Sequence, residues 1–105
     1  RADALYSEAQ WLALQPEGFA YAGSYTDMPE ETLRHLESGY FVTDYSMTYP
    51  TEDRATLFAD AMAQRLLLEN SPGIRTKLDY YARCIRDCFD TEGWPEVTAW
   101  EQPLQ

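Results

Sequence analysis

Apolar residues recur along most of this chain at helical spacing, three or four positions apart, rather than in the two-residue alternation of strands. The stretch from Ala2 to Gln15 is rich in Ala, Leu, Glu and Gln and free of Gly and Pro, and so predicts a first helix. Leu5, Ala9 and Leu12 share one of its faces, with Trp11 beside them. Pro16 and Gly18 end it. A short helix is predicted over Pro29 to Leu36, with Thr26 or Asp27 as cap, Met28, Leu33 and Leu36 on its apolar side, and Gly39 closing it. The longest helix is predicted from Glu52 to Glu69 behind Thr51 as N-cap. Ala55, Phe58, Met62 and Leu66 form its stripe, widened by Leu57, Ala61 and Leu68. A last helix opens with Ser71 as cap and Pro72 at the first position. Ile74, Leu78, Tyr81, Ile85 and Cys88 or Phe89 mark its inward face.

Between these helices lie two aromatic loops. Residues 18–27 carry Phe19, Tyr21 and Tyr25 among small residues and glycines, which makes a poor strand. Residues 40–50 carry three tyrosines, and Phe41-Val42 allows a brief extended stretch. After Gly93-Trp94-Pro95 the tail ends at Gln105, and its tryptophans, Trp94 and Trp100, are expected to pack on the body. The predicted fold is mostly α: one small helical domain over residues 1–105, with no repeat and no interdomain linker. A content of 45% hydrophobic and 14% aromatic residues supports a packed core over disorder.

Charge narrows the function classes. The net charge is −10 and the eight Lys and Arg are scattered, so a phosphate backbone would be repelled and nucleic-acid binding is not expected. No run approaches the roughly 18 apolar residues of a membrane span; Leu66-Leu67-Leu68 is far shorter. The chain starts at Arg1 in helix-forming sequence, without a signal peptide or an initiator Met, which reads as a trimmed piece of a longer chain.

Few residues could carry chemistry. Cys84 and Cys88 stand four apart on a predicted helix, where a disulfide would be strained and two further zinc ligands are lacking; both are read as reduced core cysteines. His35 is the single histidine and is expected at the surface. A Ser-His-Asp or Cys-His site would have to place His35 beside Ser24, Ser46 or Cys84 with no supporting motif. No phosphate-cradling glycine loop exists.

The informative stretch is DYSMTYPTEDRATLFADAM, residues 44–62. It resembles the gluzincin metallopeptidases, above all the anthrax-lethal-factor-like branch and related bacterial zinc-binding metallopeptidases. Those proteins carry HExxH on one helix, and a later helix begins with a motif like E-(D/F)-F-A-E-x-F-A. The first Glu of that motif is the third zinc ligand, and a Tyr seven residues before it faces the substrate. Here Glu52 and Tyr45 stand at that spacing, followed by Asp53, Ala55, Phe58 and Ala59. A preceding family phrase, NPxGFxYxxxY, is echoed from Leu14 through Pro16, Gly18, Phe19 and Tyr21. The resemblance covers about residues 3–65. It departs from the motif at Thr56, where the family has a second Glu, and at Arg54, where it has an aromatic. HExxH itself does not occur in the chain, and the spacing puts it shortly before Arg1 in a longer precursor.

The resemblance implies a zincin-like C-terminal subdomain, inactive alone, with Glu52 as metal ligand and Tyr45 as the hydrogen-bond donor to the oxyanion. It implies zinc as cofactor once the HExxH-bearing part is present, a peptide as substrate, and a bacterial secreted or cell-surface setting. It also implies an exposed apolar surface where the HExxH helix docks, and hence a tendency to dimerise. The chemistry suits the pattern. A hydrolytic zinc needs three protein ligands and one open position, and a Glu at a helix start projects from a fixed frame. Glu52 and Asp53 also fit the ordinary preference for acids in a first turn, and Tyr45 also fits a packed tyrosine. The alternative from another class is a non-catalytic helical module whose aromatic loops bind a protein partner.

Overall fold

A computed structural model describes residues 6–66 and 68–105. Helices α1 (Glu8–Ala13), α2 (Glu30–Leu33), α3 (Pro50–Met62) and α4 (Pro72–Cys88) are joined by 3-10 turns η1 (Arg34–Ser38), η2 (Asp44–Met47) and η3 (Ala99–Leu104). The fold is mostly α, as the helical spacing predicts, and no strand occurs among the described residues, Phe41-Val42 included. None of the described helices is long and apolar enough to cross a membrane.

Helices α3 and α4 carry the core. Trp11, Leu57, Ala61, Leu68, Ile74 and Leu78 form one buried cluster, flanked by Tyr81, Trp100 and Leu104. Full burial of side chains such as Trp11, Leu57 and Leu78 stabilises the fold by about 1.5–3 kcal/mol each. Pro72 opens α4 with Ser71 before it, as its sequence predicts, although the Ser71 side chain makes no capping hydrogen bond. Gly73 is buried beneath the ring of Tyr40, and a Cβ there would lie 2.5 Å from that ring. The tail packs on the body as expected, with Trp100 against Phe58 and Trp94. Its seat is fixed by Arg86, which donates to both carboxylate oxygens of Glu101 and to the carbonyls of Pro95 and Glu96.

Several expectations are corrected. The expected first helix is shorter where it is described: α1 runs from Glu8 behind a Ser7 cap, and Ala2 and Leu5 lie outside the described residues. It buries Trp11, while Ala9 and Leu12 face solvent. The indole is the largest apolar side chain on this helix, and its ring packs among Tyr6, Tyr80 and Tyr81. In the short second helix, Thr32 is the buried residue and Leu33 is exposed.

Helix α3 starts earlier and ends sooner than 52–69. Pro50 takes the first position and Tyr49 the cap position, so Thr51 lies inside the first turn. The end is a Schellman closure. Gln64 is left-handed (φ 59°), its amide donates to the Ala61 carbonyl, and the Arg65 amide donates to Asp60. Gln replaces the usual Gly because its side chain bonds the carbonyls of Ala61 and Ala99. The inward line of α3 is Asp53, Leu57 and Ala61, whereas Ala55 and Met62 are exposed. A buried carboxylate thus lies where the apolar pattern pointed away. Cys84 is buried as expected, but Cys88 is exposed at the last residue of α4.

Candidate functional site

The first turn of α3 presents two adjacent carboxylates to opposite surroundings. Asp53 points inward and Glu52 sits at the surface, half-buried. Two turns earlier in the chain, η2 is closed by reciprocal bonds between Thr43 and Ser46. Ser46 is buried and lies 2.6 Å from the hydroxyl of Thr56, which also donates to the carbonyl of Glu52. Thr56 therefore joins η2 to α3 where the family motif has a second Glu.

The loop over residues 18–27 is pinned to the same place. The amides of Ala22 and Gly23 donate to the carbonyls of Met47 and Thr48, and the Tyr49 hydroxyl donates to the Gly23 carbonyl at 2.8 Å. Gly23 is left-handed (φ 70°), a conformation that costs glycine little, and it turns the chain toward Tyr25. Tyr25 then stacks on Tyr45 with ring centroids 5.6 Å apart, and lies 4.9 Å from Tyr49. Its hydroxyl donates to Glu52 Oε2 at 2.9 Å. The acceptor is a carboxylate, so losing the phenol proton would set two negative charges side by side; the Tyr25 phenol is pushed up to about 12.

Glu52 and Tyr45, the two residues that the resemblance singled out, thus share one surface cluster, with Tyr25 between them. Tyr45 is 44% exposed and Tyr25 58%. Tyr25 is the member that sequence reasoning missed. Its signals were its place in an aromatic loop and at the last Tyr of NPxGFxYxxxY when that phrase is aligned on Pro16, Gly18, Phe19 and Tyr21, though neither tied it to Glu52.

Behind the cluster runs a buried polar chain. The Trp11 indole donates to the Tyr21 hydroxyl (2.9 Å), and Tyr21 donates to Asp53 Oδ2 (2.6 Å). Lys77 Nζ lies 2.8 Å from the same oxygen, and both charged side chains are 1% exposed. Lys77 also donates to the Tyr40 carbonyl (2.7 Å) and sits 4.1 Å from the centre of the Phe41 ring. Burial pushes the Asp53 carboxyl up and the Lys77 amine down, and their mutual attraction opposes both shifts. Tyr21 is pushed up strongly, by its burial first and by Asp53 second. The residues of the family phrase, Phe19 and Tyr21, serve this interior: Phe19 packs edge-to-face on Tyr21 and on His35.

The remaining candidates separate from the cluster. His35 is half-buried against Phe19. Arg54 lies over the Tyr6 ring and pairs with Glu8. Trp94 and Trp100 help line an open apolar groove of about 370 Å³ with Phe58, Tyr81, Ile85 and Phe89. Among the described residues no group of three or more His, Cys, Asp or Glu side chains could hold a metal ion. Of the residues that the resemblance points to, Glu52 is the metal-ligand candidate at the cluster. No protein-family model, curated protein or solved structure matches the chain.

Proposed function

We propose that this chain is the part of a gluzincin-type zinc metallopeptidase that supplies the third zinc ligand, Glu52, and the oxyanion-facing Tyr45. On this reading it acts only together with an HExxH-bearing segment and has no peptidase activity alone. The observation that supports it best is the Tyr25 bridge, which holds the Glu52 carboxylate beside Tyr45 at the start of a helix. A carboxylate oriented by a hydrogen bond to one oxygen is how protein ligands to zinc are commonly held, and carboxylate oxygen is an ordinary zinc donor. Bound zinc would supply Lewis-acid activation of water and of the peptide carbonyl. Glu52 would hold the metal from this side. Tyr45, exposed on η2, would donate its phenol proton in a hydrogen bond to the oxygen that gains charge as the carbonyl is attacked. The peptide substrate would lie along this face.

Replacing Tyr45 by Phe in the protein made from its native gene tests the assignment. Peptide hydrolysis should lose about 10²–10³ in kcat with KM and zinc content nearly kept, the usual effect of deleting one oxyanion donor. Unchanged kcat would remove Tyr45 from the chemistry.

A second reading, a non-catalytic interaction module, draws on a different observation. Phe89 is 61% exposed at the rim of the apolar groove beside Trp94. That reading predicts a stable monomer with no metal and no hydrolysis.

A further inference from the structure

Three cations of this fold sit over an aromatic ring and also meet a carboxylate. Arg54 lies 4.3 Å from the Tyr6 ring centre and pairs with Glu8. Lys77 lies over Phe41 and pairs with Asp53. Arg86 lies 5.9 Å from the Trp94 ring centre and pairs with Glu101. The negative face of a ring and a neighbouring carboxylate attract the same cation, so the combination recurs. At the tyrosine cluster the ring and the acid occur again, without the cation. Tyr25 and Tyr45 are stacked and exposed, and Asp44 joins them, Thr26, Met28 and Thr48 around a cavity of about 230 Å³. Neither Asp44 nor Glu52 has an ion-pair partner among the described residues.

We propose that this cavity receives the side chain of a lysine or arginine of a bound peptide. The cavity falls below the roughly 300–1,000 Å³ of sites that enclose whole small-molecule ligands, which fits one side chain. Met28 and the ring edges would cover the aliphatic stem, the tyrosine faces and Asp44 the charged head. The charge is complementary, since the chain carries −10. The position of that residue beside the cleaved bond rests on the metallopeptidase reading, because Tyr45 borders both. Recognition of the cation itself rests on the cavity alone.

The test reads peptide binding, at times short against any hydrolysis. Labelled alanine-glycine heptapeptides carrying one central Arg, Lys, citrulline or norleucine are titrated into the protein made from its native gene. The Arg and Lys peptides should bind about ten-fold tighter than their neutral counterparts, with a preference that shrinks as salt rises. Asp44→Asn, an exposed change that should not disturb folding, should remove most of that preference. Glu92→Gln, at an exposed acid on the loop after α4, should leave it intact. Equal binding of the Arg and citrulline peptides, or equal losses in the Asp44 and Glu92 variants, would overturn the proposal. Loss of this preference with zinc still dependent on Glu52 would sink this inference alone. A retained preference with zinc independent of Glu52 would sink the metallopeptidase reading alone.

Discussion

Glu52 and Asp53 are neighbours in the first turn of α3, and their surroundings could hardly differ more. Asp53 is sealed against Lys77 and Tyr21, whereas Glu52 meets solvent and a single tyrosine hydroxyl. The inner carboxylate ties α3 to α4 and to the loops at Tyr21 and Tyr40, so its cost and benefit are structural. The outer one forms no ion pair among the described residues, so its removal should be cheap for the fold and expensive for any ligand. Two acids adjacent in sequence can thus be separated by what each substitution damages.

The sharpest break comes from the inside. Lys77→Met leaves Asp53 buried and uncompensated, and should cost about 3–5 kcal/mol in chemical denaturation. Adding Asp53→Leu should recover most of that loss, because the pair's worth lies mainly in each member's need for the other. A single Lys77→Met variant within 1 kcal/mol of wild type, on the roughly 0.5–3 kcal/mol scale of ordinary substitutions, would show the pair to be slack.

Gly73→Ala attacks the same network from α4. Its Cβ would meet the Tyr40 ring, and the Tyr40 carbonyl holds Lys77. Thermal unfolding should report a loss of about 1–3 kcal/mol.

A third carboxylate lies between the two extremes. Arg86 holds Glu101 well below the usual carboxylate range, at about 2 against an ordinary 4.5. A depressed carboxylate stabilises the fold above its unfolded pKa, and the gain disappears as pH falls through 4.5 toward 2. Arg86→Gln should flatten that part of the stability–pH curve, a modest effect for a pair this close to solvent. An unchanged acid limb would contradict the pairing.

The smallest effect on stability belongs to Glu52→Gln, within about 0.5 kcal/mol. The same change removes the charged acceptor of Tyr25, so that phenol should titrate below its present value of about 12. An NMR titration of the Tyr25 ring measures it directly.

The sequence revealed some of this plainly and hid some of it. Pro72 behind Ser71, and the stripe Ile74, Leu78, Tyr81, are ordinary helix signals and stand where they predict. The inward face of α3 was hidden because Asp53 breaks an apolar pattern that only its partner restores. Lys77 carried the available clue: it lies three residues after Ile74 and four before Tyr81, on the face that packs inward. Gln64 gave no warning that it would end α3, since a left-handed Gln depends on the Ala99 carbonyl, remote in sequence. At the candidate site Tyr45 and Glu52 were legible through the resemblance, which sets them seven residues apart. The role of Tyr25 was not, because it arises from two backbone hydrogen bonds that dock one loop on another.

The central claim is that Glu52 serves a zinc centre completed by another segment of the protein. Zinc content, measured by mass spectrometry on protein made from the native gene, tests it most directly when wild type, Glu52→Gln and the exposed-surface control Glu69→Gln are compared. The account predicts about one zinc per chain in wild type and in the control, with zinc affinity about ten-fold or more weaker in Glu52→Gln. Zinc retained at wild-type affinity without Glu52, or no zinc in any of the three proteins, would contradict it.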